Sequence, residues 1–256
     1  MGADNAARHF VMRLAVLSDI HGNVRALDAV LADIERRGAD GIVNLGDCAY
    51  GPFDPRPAMQ RLIERTSPSV SGNEDRVLVE AAQGKTSSRT ASFCIDRLRS
   101  EQIEWLARCP HTLEWDDILA FHGTPDDDAT YLLTTVDRHG ACERNPSDVQ
   151  HLLGARTARL ILCGHDHTPR HVRLADGIRI INPGSVGCPA YVDDVPAVHA
   201  IENGSPHARY AIVDIDGPSV AVTLCGVVYD WQAAAKEAAD NGFSHWAQWL
   251  ATGRVS

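Results

Sequence analysis

The sequence predicts an α/β fold in which a mixed sheet, or two sheets packed face to face, carries helices outside. Three observations predict it. Short buried apolar runs alternate with helical periodicity in the first part of the chain, in the order β-α-β-α-β. Antiparallel hairpins with Asp-Gly turn signals dominate the last third. The apolar runs also end repeatedly at carboxylate, amide or imidazole side chains.

Taken in order, "RLAVLSD" reads as a short buried strand ending at Ser18–Asp19. A helix follows from Gly22 or Asn23 to about Arg37, with Val24, Leu27, Val30, Leu31 and Ile34 at helical spacing and Gly38 as its stop. "GIVNLGD" is a second strand, ending at Asp47. "DPRPAMQRLIER" predicts a helix from Pro55, "SPSVSGNED" a third strand ending at Gly72–Asn73, and residues 75–108 a mostly helical stretch. "HTLEW" and "DILAFHG" form a hairpin across Asp116–Asp117, its second arm ending at His122. "ARLILCGHDH" is a buried strand, "HVRLADGIRIINPGS" and "ARYAIVDIDGPSVAVTLCGVVY" are hairpins, and residues from about 231 to 251 form a helical tail. The segment 75–108 and the loop "PDDDATYLLTTVDRHGACERNPS" are the expected covers of a cleft.

At 256 residues and 27.8 kDa the chain suits one domain, placed at 12–256 behind a loose extension at 1–11. Its seven cysteines form an odd set without a C-x-x-C pair, which argues for reduced thiols in a cytoplasmic protein and against a disulfide framework. A net charge of −10 gives no electrostatic reason to bind long nucleic acid. The start "MGADNAARHF" lacks the regions of a signal peptide, and no apolar run reaches the ~20 residues of a membrane span. The oligomeric state is not encoded in any of these features.

The chemistry gathers at the strand ends: Asp19 and His21, Asp47, Asn73, His122, His165 and His167. Each alone has a structural role available, as a helix cap, a left-handed turn or a hydrogen-bonded histidine. Their joint placement at the ends of five apolar runs is what points to a site, because loops at the carboxyl ends of strands face one crevice. Three carboxylate or amide side chains and four imidazoles are too many ligands for one tetrahedral zinc. They suit two divalent ions sharing a carboxylate, with Mn, Fe, Zn, Co or Ni preferred over calcium for such mixed donors. Two such ions about 3.5–4 Å apart activate a water and clamp an in-line displacement at phosphorus.

In "DIHGN" (19–23), "GDCAYGP" (46–52), "GNED" (72–75), "FHG" (121–123) and "GHDH" (164–167) the chain resembles the calcineurin-like metallophosphoesterases over about residues 13–215. "NPGSVG" (182–187) and "ARYAIVD" (208–214) are similar to the bacterial predicted-phosphodiesterase branch. The resemblance implies a four-layer α/β/β/α sandwich of two mixed sheets. It implies one metal on Asp19, His21, Asp47 and His167, and the other on Asp47, Asn73, His122 and His165, with Asp47 as bridge and Asp166 pointing elsewhere. The chain departs from the pattern at Glu74, where many members carry the histidine that protonates the leaving oxygen. Two readings of Glu74 stand: a general acid, or a helix-start carboxylate turned to solvent. Asp75 matches an acidic position expected to orient a ligand from behind.

The function expected is hydrolysis of a small phosphodiester or nucleotide by a metal-activated hydroxide, with Asn73 steadying charge. The alternatives are a phosphomonoesterase (a protein phosphatase or a dinucleoside polyphosphate hydrolase) and a non-catalytic binding scaffold on the same fold. Beyond the motifs, Cys48, Cys163 and Cys188 are read as packing. Asp126–Asp128 are read as a solvated loop, Tyr131 and Tyr191 as packing residues or a base platform, and Arg25, Arg89 and Arg170 as surface salt bridges or phosphate contacts.

Overall fold

Thirteen short strands and eight helices make up the computed structural model, which describes residues 12–65 and 67–256. The extension expected at 1–11 lies outside the described residues. The chain begins β1 (Met12–Leu17), α1 (Val24–Arg37), β2 (Gly41–Asn44), α2 (Arg56–Arg65), α3 (Asn73–Ala82), α4 (Arg89–Ile95) and α5 (Ser100–Arg108). It continues through β3 (Thr112–Trp115), β4 (Ile118–Phe121), β5 (Thr134–Asp137), β6 (Gly140–Glu143), α6 (Pro146–Leu153), β7 (Leu160–Leu162), β8 (Arg170–Arg173) and β9 (Arg179–Asn182). It ends with β10 (Ala190–Asp193), β11 (His199–Glu202), β12 (Ala208–Asp216), β13 (Ser219–Val227), α7 (Trp231–Asp240) and α8 (Ser244–Thr252).

One sheet has the order β13-β12-β1-β2, with β1 and β2 parallel and the other pairs antiparallel. The second has the order β3-β4-β7-β9-β8, with β4, β7 and β9 parallel at its centre. Side chains alternate across a strand, so each sheet has two faces to cover. Leu14 and Val16 of β1 meet Ile118 and Ala120 of β4, Leu160 and Leu162 of β7 and Ile181 of β9, forming an apolar slab between the sheets. Ala15 and Leu17 point the other way, against Leu27, Val30 and Ile34 of α1, Met59 of α2, Leu78 of α3 and Ala234 and Ala238 of α7. Phe121, Ile161 and Ile180 cover the far face of the second sheet with Val149 and Leu153 of α6. The result is the four-layer α/β/β/α sandwich. Each fully buried leucine here contributes about 1.5–3 kcal/mol.

α1 shows why these residues form these elements. Asn23 caps it by accepting from Ala26 N at 3.1 Å, and Gly38 ends it in the left-handed region. Elsewhere local reading overreached. The strand expected at "SPSVSGNED" is a single bridge, Asn44 to Ser69. Pro68 has no N–H to donate, and Ser71 N turns away to Pro110 O at 2.8 Å, so pairing stops after Val70. Asn73 therefore opens α3 rather than ending a strand. The helical tail breaks at Gly242, whose φ of +84° ends α7 before α8 starts. The loop read as irregular holds the β5–β6 hairpin and the start of α6, which carries an Asn145 cap and Pro146 in its first turn.

Candidate metal centre

Five loops at the strand ends meet at one point, and they do so with strained backbone. Asp19, His21, Asp47, His165 and His167 all have positive φ, at 56, 50, 53, 70 and 54°. Among the described residues only one other non-glycine does, Asp116 in the β3–β4 turn. Such conformations cost of order 1–3 kcal/mol each and persist where surrounding contacts over-determine them. Here they are laced together: Asp19 N donates to Gly46 O at 3.0 Å, Ile20 N and His21 N to Asp47 O at 2.9 Å, and Gly164 N to His122 O at 2.8 Å. Asp75, buried beneath, accepts from Asp47 N and Cys48 N at 2.8 Å and from Gly72 N at 3.1 Å. Two glycines permit the close approach. A Cβ on Gly72 would collide with Asp47 Oδ1, and one on Gly164 with Ser18 Oγ.

The imidazoles are oriented by backbone carbonyls. His21 Nδ1 lies 2.9 Å from Tyr50 O, His122 Nδ1 2.6 Å from Leu45 O, and His167 Nδ1 2.8 Å from Cys188 O. A carbonyl only accepts, so Nδ1 carries the proton and Nε2 of the neutral ring keeps its lone pair. His165 is turned the other way, with Nε2 2.8 Å from Ala129 O. The lone pairs converge on other acceptors. His21 Nε2 and His167 Nε2 are 3.2 Å apart, His167 Nε2 is 3.2 Å from Asp19 Oδ1, and His122 Nε2 is 3.2 Å from Asp47 Oδ2 and 3.0 Å from Asn73 Oδ1. Asp19 Oδ1 is buried without a hydrogen-bond donor. Ligand atoms of Asp19, His21 and Asp47 lie within 4.8 Å of one another, as do those of Asp47, His122 and His165. The structure thus brings all seven candidate residues together; Asp47 belongs to both of these groups, and a third joins His21, His167 and Cys188. Acceptors aimed at acceptors require cations between them, whether protons or metal ions.

The electrostatics say the same. Burial pushes the Asp19 and Asp47 carboxyls up, yet the imidazoles around them, His167 and His122 foremost, hold both below the usual range. Burial lowers His21 and His122, but Glu74 beside the first and Asp47 beside the second outweigh it and raise them to about 9 and about 10. His165, facing His122, is pushed down to about 4, mainly by burial. A histidine raised in the folded state stabilises fully below its ordinary value near 6.5, and that stability is lost as pH rises through the folded value. Chelator-treated protein is therefore expected to lose melting temperature as pH rises from about 6.5 to about 10, and metal-loaded protein to hold it, since bound cations take the protons' place. Denaturation scans showing parallel curves for the two forms would contradict this account.

A cleft of about 340 Å³ opens on the centre. Glu74 lines it rather than facing solvent, so that expectation is corrected: its Oε2 lies 3.1 Å from His21 Nδ1, and only 25% of the side chain is exposed. The position at the first turn of α3, over Asp47, dictates that direction. Burial and the charge of Asp47 push the Glu74 carboxyl up to about 7 against the pull of His21, and its open quarter moderates the push. Asp166 points away, accepting from Asn182 Nδ2 and Thr134 Oγ1 at 2.8 Å. In the Asp126–Asp128 run, Asp126 and Asp127 are exposed as expected of a solvated loop, with Asp126 paired to Arg156 and Asp127 accepting from Thr130, whereas Asp128 is buried and pairs with Arg76 at 2.7 Å. Arg25 pairs with Glu237, Arg89 lies over the Phe243 ring, and Arg170 donates to Leu133 O at 2.6 Å; none lines the cleft. Tyr131 is buried against His165 at 4.6 Å, while Tyr191 lines the cleft and donates to Tyr131 Oη at 2.9 Å. Cys188 also lines it, and burial holds its thiol well above its ordinary value.

Sequence reasoning missed Tyr50, Thr90, Asp193, Trp246 and Trp249, which complete the cleft wall. Trp246 lies edge-on to His21 at 5.5 Å. Two tryptophans three apart in a helical tail carry a helical-face signal, but nothing local says which face meets a site far away in sequence.

Residues 12–218, most of the chain, match the calcineurin-like phosphoesterase superfamily domain. The chain belongs to this superfamily. A metallophosphoesterase of Sphaerobacter thermophilus superposes on it with a TM-score of 0.76 at 26% identity, covering 96% of this chain and all of that one. An uncharacterized protein of Methanocaldococcus jannaschii is 25% identical over 255 residues, which span 91% of this chain and 94% of the relative. Calcineurin-like phosphoesterases hydrolyse phosphoesters with divalent metals, and the motif loops that brought Asp47 and the four imidazoles together here fall inside the matched span. Among the described residues no helix is long and apolar enough to cross a membrane.

Proposed function

We propose that the chain is a dinuclear-metal phosphoesterase acting on a small phosphodiester or nucleotide in the cytoplasm. The observation that carries the reading is the buried convergence of lone pairs: His21 Nε2 against His167 Nε2, and Asp19 Oδ1 without a donor. The donor set fits two ions of the manganese, iron, zinc, cobalt or nickel kind, one held by Asp19, His21, Asp47 and His167, the other by Asp47, Asn73, His122 and His165. When bound, such ions supply Lewis acidity, lowering the pKa of a water and drawing charge from phosphoryl oxygens. The chain's own residues do the rest. Carbonyls of Tyr50, Leu45, Cys188 and Ala129 fix the four rings, and Asp75 fixes the Asp47 loop. Asn73, on the cleft wall, steadies negative charge developing at phosphorus. Glu74 stands where it can protonate the leaving oxygen, its carboxyl kept protonated longer than an ordinary glutamate's by burial.

All seven cysteines are free, which supports a reducing compartment. The scaffold reading would be favoured by a missing ligand, and none of the seven positions is missing. The test is elemental analysis of purified protein followed by a phosphoester panel across a metal series. About two ions per chain and metal-dependent turnover of a diester are expected. In the same panel Glu74→Gln is expected to slow an alkyl diester by about 100-fold and a p-nitrophenyl diester only a few-fold, because a good leaving group needs no proton. Equal losses on both esters would remove Glu74 as the acid, and a metal-replete protein inert to the whole panel would end the hydrolase reading.

A further inference from the structure

The cleft lining is chemically lopsided. Among the described residues its charged members besides the histidines are Asp47, Glu74 and Asp193, and no described lysine or arginine lines it. The same lining holds Asn73 and Glu74 of α3, the rings of Trp246 and Trp249 of α8, and Tyr191 and Val192 of the adjoining β10. Trp246 and Trp249 are 5.5 Å apart with planes tilted by 49°, and Trp246 is itself 5.5 Å from His21, so the rings step outward from the ligand cluster. Packing does not account for the pair. α8 is anchored by Leu250, its one buried residue, and Trp246 packs partly on the helix-side core. Trp249 is outside that core, partly buried, and lines the cleft, with Trp246 and His245 as its aromatic neighbours among the described residues. A large apolar ring left facing a reaction cleft is a surface for a flat ligand group.

We infer that α8 supplies the specificity wall of this site: Trp246 and Trp249 hold the planar group of the substrate, which is a singly charged phosphodiester whose retained, non-leaving substituent is a nucleoside. The inference rests on the phosphoesterase reading for the reaction and adds the substrate class. A dianionic monoester or a polyphosphate would bring further negative charge to an outer wall that offers the Asp193 carboxylate and, among the described residues, no lysine or arginine to balance it. A diester brings a single charge, which lies at the ligand cluster, and leaves its planar group for the tryptophans. Stacking of a base on an aromatic side chain is sequence-tolerant, so the wall selects for flatness rather than for one base.

Two esters with the same leaving group isolate the effect: p-nitrophenyl thymidine 5′-phosphate and p-nitrophenyl methyl phosphate. The metal-loaded wild type is expected to prefer the nucleoside ester by about 30-fold in kcat/KM, mostly through KM. Trp249→Leu is expected to cut that preference about tenfold, and Trp249→Phe to restore most of it. A second readout needs no turnover. Thymidine, which carries no charge, titrated into metal-free protein is expected to quench tryptophan emission saturably in the wild type and in Trp249→Phe, with the quenching weakened in Trp249→Leu. Equal kcat/KM for the two esters in the wild type, or a preference untouched in Trp249→Leu, overturns the wall while the hydrolase stands. If neither ester is hydrolysed, the hydrolase reading fails instead. The titration then decides the wall alone, and quenching that is absent or identical in all three proteins overturns it.

Discussion

Asp47→Asn is expected to lower kcat/KM on a phosphodiester by about a thousandfold or more, roughly 4 kcal/mol of transition-state stabilisation, and to drop metal content below two ions per chain. Asp47 is the residue common to both ligand groups, and its Oδ2 lies 3.2 Å from His122 Nε2. Asparagine keeps the shape and tolerates a φ of 53° as well as aspartate does, so the loop survives the change. Its carbonyl oxygen can still accept from Glu74 N, as Asp47 Oδ1 does at 2.9 Å. What disappears is the negative charge that lets one side chain serve two cations. Elemental analysis beside steady-state kinetics separates loss of metal from loss of rate in metal that remains. A variant with two ions and near wild-type turnover would remove Asp47 from the centre of the mechanism.

Asp75→Ala is expected to cost about 3 kcal/mol of stability and a further 10- to 100-fold in metal affinity or activity, although Asp75 touches no proposed ion. Its carboxylate satisfies the buried N–H groups of Asp47, Cys48 and Gly72, and removal leaves all three without an acceptor. The loss is partly offset, because burial and the nearby Asp47 push the Asp75 carboxyl up to about 6, so holding it ionised is itself costly. For a domain of this size the melting temperature should fall by roughly 6–12 °C. Scans on chelated protein isolate the bracing role from ligand-linked stabilisation. Asp75→Asn keeps an acceptor and should recover part of the stability. An alanine variant that melts and turns over like the wild type would show that the Asp47 loop holds its strained conformation without this brace.

Much of the site was legible along the chain. Asp19, His21, Asp47, His122, His165 and His167 each follow an apolar run, and a strand's end is a position that hydrophobic patterning can locate. Asn73 lies beside His122 in the cluster, but it opens α3 instead of closing a strand as its local sequence suggested. Glu74 went the other way. Its expected exposure failed because a residue in the first turn of a helix is turned by that helix's docking, and α3 docks over Asp47. In the acidic run at 126–128, Asp126 and Asp127 are exposed as read, while Asp128 is buried and pairs with Arg76, which arrives from α3.

The sequence by itself determined the α/β class, most of the strand ends that carry the candidate residues and the motifs whose resemblance implies the layer order, because strand periodicity, caps and turn residues act over a few positions and leave a local signature. Only the tertiary structure decided which ring nitrogen each histidine presents, that Asp75 grips the Asp47 loop, and that α8 brings Trp246 and Trp249 to the cleft. Those facts depend on carbonyls, N–H groups and rings from distant segments meeting within hydrogen-bond or van der Waals distance. Such meetings are fixed by how whole layers pack, and no short stretch of sequence carries them.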